Sequence, residues 1–369
     1  MSPPAEHWPV AEPALYRRLR EHDDPGVLAT VVSVEGSAYR RPGAKMLVDP
    51  DGETLGTITA GCLRDRIVEA ALAVRETARA RVVAFDLADD ETWDLASGCD
   101  GRIEVLLEPV DEGVREALGA VADRRAMTVV TAVESSDSGI DVRDRSVISD
   151  EARLGDGASG TLPPEISEAI DVQSAETTVT RTVETPEGEV TVLVDPIEPA
   201  PRLLLFGSRP DLRPLAWLGR AVGFEVVVAS PRGGAATDES FPAAHEVLAS
   251  HPTDLPAHTD RWTYPVVLSH NVIDDRLAVE VLLTDSTVPY VGLLGSRDRS
   301  RRLLATIEDG EVELTDDQLD RLSTPVGLDL GGDGPLAVAL SIVSEIHAVH
   351  YQRSGGRLRE RSGPIHGRP

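Results

Sequence analysis

Arg202-Leu203-Leu204-Leu205-Phe206-Gly207-Ser208-Arg209-Pro210-Asp211-Leu212 is the stretch that decides the fold class. An apolar strand runs into a glycine turn, and the turn opens a helix over Arg213 to Val222. Gly223-Phe224-Glu225-Val226-Val227-Val228-Ala229-Ser230-Pro231-Arg232 follows as a second strand. This is a βαβ unit ending in a loop where a nucleotide ribose often sits. Downstream, Val266 to Leu268 and Tyr290 to Leu294 read as strands, and Asp275 to Leu283, Arg297 to Glu308 and Pro335 to Tyr351 as helices. That alternation predicts a Rossmann-like, doubly wound parallel sheet.

Upstream lies a proline-rich linker, Pro196-Ile197-Glu198-Pro199-Ala200-Pro201, the clearest domain boundary in the chain. Before it, Glu12 to Glu21 reads as a helix. Val27 to Val34, Met46 to Val48 and Leu55 to Thr59 read as strands. A helix from Cys62 to about Thr77 and strands at Arg81 to Leu87 and Ile103 to Leu107 complete a unit. A shift of 99 residues without a gap repeats that unit. Glu35 meets Glu134, Val48 meets Val147, Leu55-Gly56 meets Leu154-Gly155, Gly61 meets Gly160, Leu63 meets Leu162, and Ile67 meets Ile166. With a gap, Val105-Leu106 to Pro109 matches Val192-Leu193 to Pro196. So many matches in order point to duplication. The expected chain is α/β. An N-terminal α+β domain is built from a degenerate duplication, with copies at 1–112 and 113–198, and a Rossmann-like domain occupies 199–352. A tail rich in Arg and Gly, 353–369, is expected to be disordered.

One stretch of the first copy carries unusual chemistry: Gly36-Ser37-Ala38-Tyr39-Arg40-Arg41-Pro42-Gly43-Ala44-Lys45-Met46, followed by Thr59-Ala60-Gly61-Cys62-Leu63. It holds the only lysine, Lys45, and one of two cysteines, Cys62. This is the composition of a shaped loop that receives an anion with a thiol close by. The ungapped shift sets Arg-Arg-Pro-Gly-Ala-Lys against Gly139-Ile140-Asp141-Val142-Arg143-Asp144, so the second copy is expected to lack these groups. Cys62 is either part of a site or a small buried hydrophobe. Its place at a helix start, where a thiolate is stabilised, favours the site.

Net charge is −27, from 63 acidic against 36 basic residues. That argues against nucleic-acid binding, which needs a basic face, and fits a solvated acidic surface suited to high salt, as in a halophilic protein. No apolar run approaches the roughly 18 residues of a membrane span, and the N-terminus lacks signal-peptide features. Two cysteines suggest a reduced, cytoplasmic setting without a disulfide framework.

The first βα turn departs from G-x-G-x-x-G, whose second glycine lets the backbone approach a pyrophosphate. Arg209 stands there, Leu212 at the third position, and Ser230 where an acidic residue would hold a ribose. Either Arg209, Ser230 and Arg232 meet a phosphate, or the crevice is weak or empty. Ser269-His270-Asn271 follows a strand at the sheet's carboxyl edge. His270 either contacts a ligand or satisfies a loop hydrogen bond. Gly295-Ser296-Arg297, between strand and helix, suits an anion. Pro325-Val326-Gly327-Leu328-Asp329-Leu330-Gly331 is a third such loop. No metal-ligand spacing is present in the sequence.

These residues resemble the XdhC/CoxI family, accessory proteins of molybdenum hydroxylases. In the first copy the resemblance rests on Glu35-Gly36-Ser37, Arg41-Pro42-Gly43-Ala44-Lys45-Met46, Gly61-Cys62-Leu63 and Gly98-Cys99-x-Gly101. Beyond the linker it rests on Gly223-Phe224, Gly292-Leu293-Leu294-Gly295-Ser296-Arg297, Pro325 to Gly331 and Ser344-Glu345-Ile346. It departs from the family pattern at Arg64-Asp65, at Gly207-Ser208-Arg209-Pro210 and at His270-Asn271-Val272.

The resemblance implies transient binding of the molybdenum cofactor (molybdopterin), sulfuration with a cysteine desulfurase, and delivery to a molybdenum hydroxylase apo-enzyme of the xanthine or carbon monoxide dehydrogenase type. A homo-oligomer is expected. Arg40, Arg41 and Lys45 would hold the pterin phosphate, with Gly43 and Gly61 admitting backbone amides. Cys62, with Cys99 as second candidate, would contact molybdenum or carry sulfur. Gly207, Arg209, His270, Ser296 and Arg297 are the C-terminal candidates for cofactor contact. Two other functions fit the sequence. One is an NAD(P)-dependent oxidoreductase with Arg209 and Arg232 on a 2′-phosphate and His270 as acid–base group. The other is a cofactor-free scaffold joining desulfurase to target enzyme.

Overall fold

The computed structural model describes residues 12–24, 26–36, 38–59, 61, 63–86, 101–149, 153–154, 160–170, 175, 177–231, 236–310 and 312–362. The chain divides into two compact units, one within His7–Pro199 and one within Ala200–Pro369.

In the first unit, α1 (Glu12–Glu21) precedes β1 (Val27–Glu35), β2 (Lys45–Val48), β3 (Thr54–Gly56), α2 (Arg64–Thr77), β4 (Arg81–Asp86) and β5 (Arg102–Pro109). After α3 (Glu112–Gly119) come β6 (Met127–Ser135), β7 (Arg145–Ser149), β8 (Arg153–Leu154), α4 (Pro164–Ala169), β9 (Val179–Thr185) and β10 (Gly188–Ile197). The first five strands form an antiparallel sheet in the order β3-β2-β1-β5-β4, and the second five repeat it as β8-β7-β6-β10-β9. The duplication extends to an irregularity. The β1–β5 ladder skips Val32, and the β6–β10 ladder skips Val133 at the matching place.

The matching register is not the ungapped shift of the sequence reading. The offset is 101 in the first strand of each copy, from Val32 to Val133. It is 100 in the following loop. There the Gly43 and Arg143 amides donate to Val31 O and Ala132 O, and the Ala44 and Asp144 amides to Arg41 O and Asp141 O. Only downstream does it become 99, where Leu63 and Ile67 are buried as Leu162 and Ile166 are. Residues lost at two places were invisible to a comparison made without gaps. Lys45 therefore corresponds to Arg145, not Asp144, and Arg41 corresponds to Asp141.

Side-chain alternation explains the layers. Val27, Ala29 and Val31 pack with Ile67, Ala71 and Val74 of α2, and Val190, Val192 and Val194 pack with Ile166 of α4. The opposite faces of the two sheets meet through Val32, Leu106, Val133 and Leu193. Each of these residues from one copy has its equivalent in the other, so the contact is a pseudo-two-fold interface.

In the second unit, β11 (Arg202–Phe206), α5 (Leu212–Ala221), β12 (Glu225–Ser230) and β13 (Glu246–Ala249) are followed by β14 (Thr263–Val267), α6 (Val272–Thr284), β15 (Val291–Leu293) and α7 (Arg297–Glu308). Then come α8 (Asp316–Asp320), β16 (Leu322–Ser323) and α9 (Pro335–His350). The sheet runs β13-β12-β11-β14-β15-β16 and is parallel throughout. This is the doubly wound order, with its switch point between β11 and β14. α5 and α9 cover one face, α6 and α7 the other.

Residues 353–362, within the tail expected to be disordered, are mostly exposed and make a few contacts. The Arg353 amide donates to Ala348 O at 2.7 Å, Gly355 packs on Leu328, and Leu358–Glu360 forms a 3₁₀ turn.

Candidate functional site

The loop between β1 and β2 presents the anion-binding candidates. Arg41 and Tyr39 are exposed and Arg40 is half-buried. Gly43 has φ +90°, and a Cβ there would overlap Thr178 Oγ1 and lie 2.9 Å from Asp195 Oδ1. Only glycine satisfies both conditions. Gly61, at φ +109°, is exposed, with nothing among the described residues within 4 Å of where a Cβ would stand, and its carbonyl receives the Arg64 amide at the entry to α2. Cys62, Cys99 and Arg232 lie outside the described residues.

Lys45 corrects the sequence reading. It is 3 % exposed and points into the interface between the sheets. Its Nζ donates to Gly43 O at 2.9 Å and forms an ion pair with Asp195 of the second copy. Asp195 is itself buried, and its other oxygen accepts the Thr178 hydroxyl at 2.6 Å. An ammonium enclosed with its counter-ion is not offered to a solvent-borne phosphate. The second copy repeats the arrangement. Arg145, 2 % exposed, donates from Nε to Arg143 O and pairs with buried Glu108 of the first copy. The two cations hold reciprocal partners across the pseudo-two-fold. A signal for this stood in the sequence: Val105-Leu106-Leu107-Glu108-Pro109 and Val192-Leu193-Val194-Asp195-Pro196 each place one carboxylate at the same point of an apolar strand.

The second unit gathers Gly207, Arg209, His270, Ser296 and Arg297 at the carboxyl ends of β11, β14 and β15. His270 has φ +61°, and its Nε2 lies 2.7 Å from Asp211 Oδ2. Asp275, fully buried at the start of α6, accepts the Ser269 amide at 3.0 Å and hydroxyl at 2.6 Å and pairs with Arg299. Burial pushes the Asp275 carboxyl up, against the opposing pull of the Ser269 hydrogen bonds and of the Arg299 and His270 charges. Ser296 caps α7 by accepting the Arg299 amide, and Arg297 is exposed in its first turn. Glu345 on α9 ties three segments together. It accepts the Tyr290 and Ser323 hydroxyls at 2.6 and 2.8 Å and the Gly327 amide at 2.8 Å. Sequence reasoning does not single out Asp211, Asp275 or Arg299, because carboxylates and arginines at helix starts are common.

The switch-point residues do not fit a dinucleotide. The Leu212 and Arg213 amides at the start of α5 already bond Arg209 O and Pro210 O, and Pro210 has no amide hydrogen. Asp211, the N-cap residue of α5, adds a negative charge at the helix end that a pyrophosphate would approach, and its carboxylate meets His270. Gly207 is explained without a phosphate, since a Cβ there would lie 2.7 Å from Leu268 O.

Family models match two parts of the chain, "XdhC and CoxI family" at residues 19–86 and "XdhC Rossmann domain" at 203–346. A Bacillus subtilis protein named as a probable xanthine dehydrogenase subunit is 30 % identical over 89 % of this chain and 94 % of its own length. The chain belongs to the XdhC and CoxI family. A crystal structure described as a xanthine dehydrogenase from Bacillus halodurans superposes with a TM-score of 0.72 at 31 % identity, covering 97 % of this chain and 99 % of that one. The uncharacterised Escherichia coli protein YqeB is 26 % identical over 94 % of this chain but 48 % of its own length. Within this XdhC chain, the two matched segments leave out the whole of the second repeat, the copy in which Asp141 replaces Arg41.

Proposed function

We propose that the chain is an accessory factor that binds the molybdenum cofactor on the arginine loop of its first repeat and assists its sulfuration and insertion into a molybdenum hydroxylase. One observation carries the site. Two copies of one scaffold stand in the same unit, and only the first presents an exposed arginine, Arg41, where the second has Asp141. A guanidinium fork suits the oxygens of a pterin phosphate, and the exposed Gly61, without a side chain, suits a ligand's approach to the backbone. When bound, the cofactor supplies a molybdenum centre with an exchangeable terminal ligand. Cys62, with Cys99, is assigned the soft contact to that metal or the carriage of sulfur. Xanthine dehydrogenase is the target class, because that name is attached to the Bacillus relatives. A cysteine desulfurase is the expected sulfur-supplying partner, and the working form is a homo-oligomer.

The test is pterin released from full-length protein purified from a cofactor-making host. Arg40→Ala/Arg41→Ala protein is expected to retain less than about a tenth of the wild-type pterin, the loss of one or two charge-assisted hydrogen bonds. Cys62→Ala/Cys99→Ala protein is expected to retain pterin without supporting sulfuration. Undiminished pterin in the arginine variant removes the loop from the site. Co-purification of desulfurase and target with no pterin would leave a scaffold.

A further inference from the structure

We propose that the second repeat is a brace for the basic loop, with Asp195 and Thr178 as positioning residues that act through Lys45. The functional part of this proposal rests on the anion-binding reading of Arg40 and Arg41. The loop returns to its sheet through Gly43, and Gly43 is held from the other copy. Its carbonyl accepts Lys45 Nζ, Lys45 is held by Asp195, and Asp195 is oriented by the Thr178 hydroxyl. Gly43 itself rests so closely on Thr178 and Asp195 that no side chain fits between them. The base of the loop is thus fixed by groups that the first repeat does not own. This gives the second copy, whose own loop is acidic, a reason to be present. The reciprocal pair, Arg145 with Glu108, performs the same service for the Asp141 loop. It therefore separates a positioning role from a merely structural one.

The experiment compares two full-length double variants, Lys45→Met/Asp195→Leu and Arg145→Met/Glu108→Leu. Each replaces a buried ion pair by apolar groups, a change that leaves folding stability near wild type or above it, which thermal midpoints check. The first readout needs no ligand: the rate at which trypsin cuts the Arg40–Arg41 bond, with the site identified by mass spectrometry. The first variant is expected to be cut at least about fivefold faster than wild type, because local cleavage follows local opening. The Arg145/Glu108 variant is expected to match wild type. The second readout is pyrophosphate affinity by calorimetry, expected to weaken about tenfold in the first variant only. Thr178→Val, which keeps both charges, is expected to move cleavage in the same direction and serves if the double variant does not fold. Unchanged cleavage in Thr178→Val and Lys45→Met/Asp195→Leu, or equal acceleration in both double variants, overturns the brace. If wild type binds no pyrophosphate while cleavage follows the expected order, the anion reading fails and the brace stands.

Discussion

Lys45 and Asp275 show how little a residue type says until its surroundings are known. The only lysine of an acidic chain invited an anion-binding role, yet its ammonium is enclosed with Asp195. Asp275 draws no attention in the sequence, yet it is fully buried and organises Ser269 and Arg299. Its pH dependence has a defined sign. Burial raises the folded-state pKa, so the folded chain holds this proton more tightly than the unfolded chain does. The stability this contributes is fully present below the ordinary carboxylate range and is lost as pH rises through the raised value. The melting midpoint of wild type relative to Asp275→Asn is therefore expected to fall as pH rises from the ordinary carboxylate range through the raised value. A pH-independent difference would show that Asp275 titrates alike in both states.

At the scale of elements, the two β-hairpin loops of the first unit form a natural mutant pair. Gly43 and Arg143 occupy equivalent positions, at φ +90° and +86°. The glycine is required twice over, by its dihedral and by Thr178 and Asp195 packed against it. Gly43→Ala is expected to cost about 2 kcal/mol or more in chemical denaturation. Arg143 carries the same dihedral with a side chain, and its guanidinium pairs with Asp111, the N-cap of α3. Arg143→Gly relieves the left-handed strain while losing that pair, so its net effect is expected within about 1 kcal/mol. Equal losses in the two variants would mean that the packed platform under Gly43 adds nothing. The strands of the first copy and the helices α1 and α2 could be read from alternation and apolar spacing, and the second copy only through the repeat. The full register between its copies could not, because offsets of 101, 100 and 99 follow each other within one repeat, and only the last shows in an ungapped comparison while the first two were visible through hydrogen bonds.

For the whole molecule, the net charge of −27 is the strongest global feature. Carboxylates held on a compact surface repel one another, and added salt screens that repulsion. The melting midpoint is expected to rise by roughly 5 °C or more from about 0.1 M to about 2 M KCl. A midpoint that is flat or falling with salt would show that the acidic surface is not a net destabiliser. Among the described residues, no helix is long and apolar enough to cross a membrane.

The sequence by itself determined the family, the doubly wound C-terminal sheet and the duplication. Each depends on patterns local to a strand, a helix or a turn, and such patterns survive in one dimension. Tertiary structure alone decided what the charged residues do. Lys45 and Asp195 are 150 positions apart, and Arg145 and Glu108 belong to different copies. Only the packing of two sheets face to face brings them together, and only burial converts opposite charges into partners that exclude an outside ligand. The same packing left Arg41 in solvent, and so narrowed the candidate site from Arg40, Arg41 and Lys45 to the two arginines.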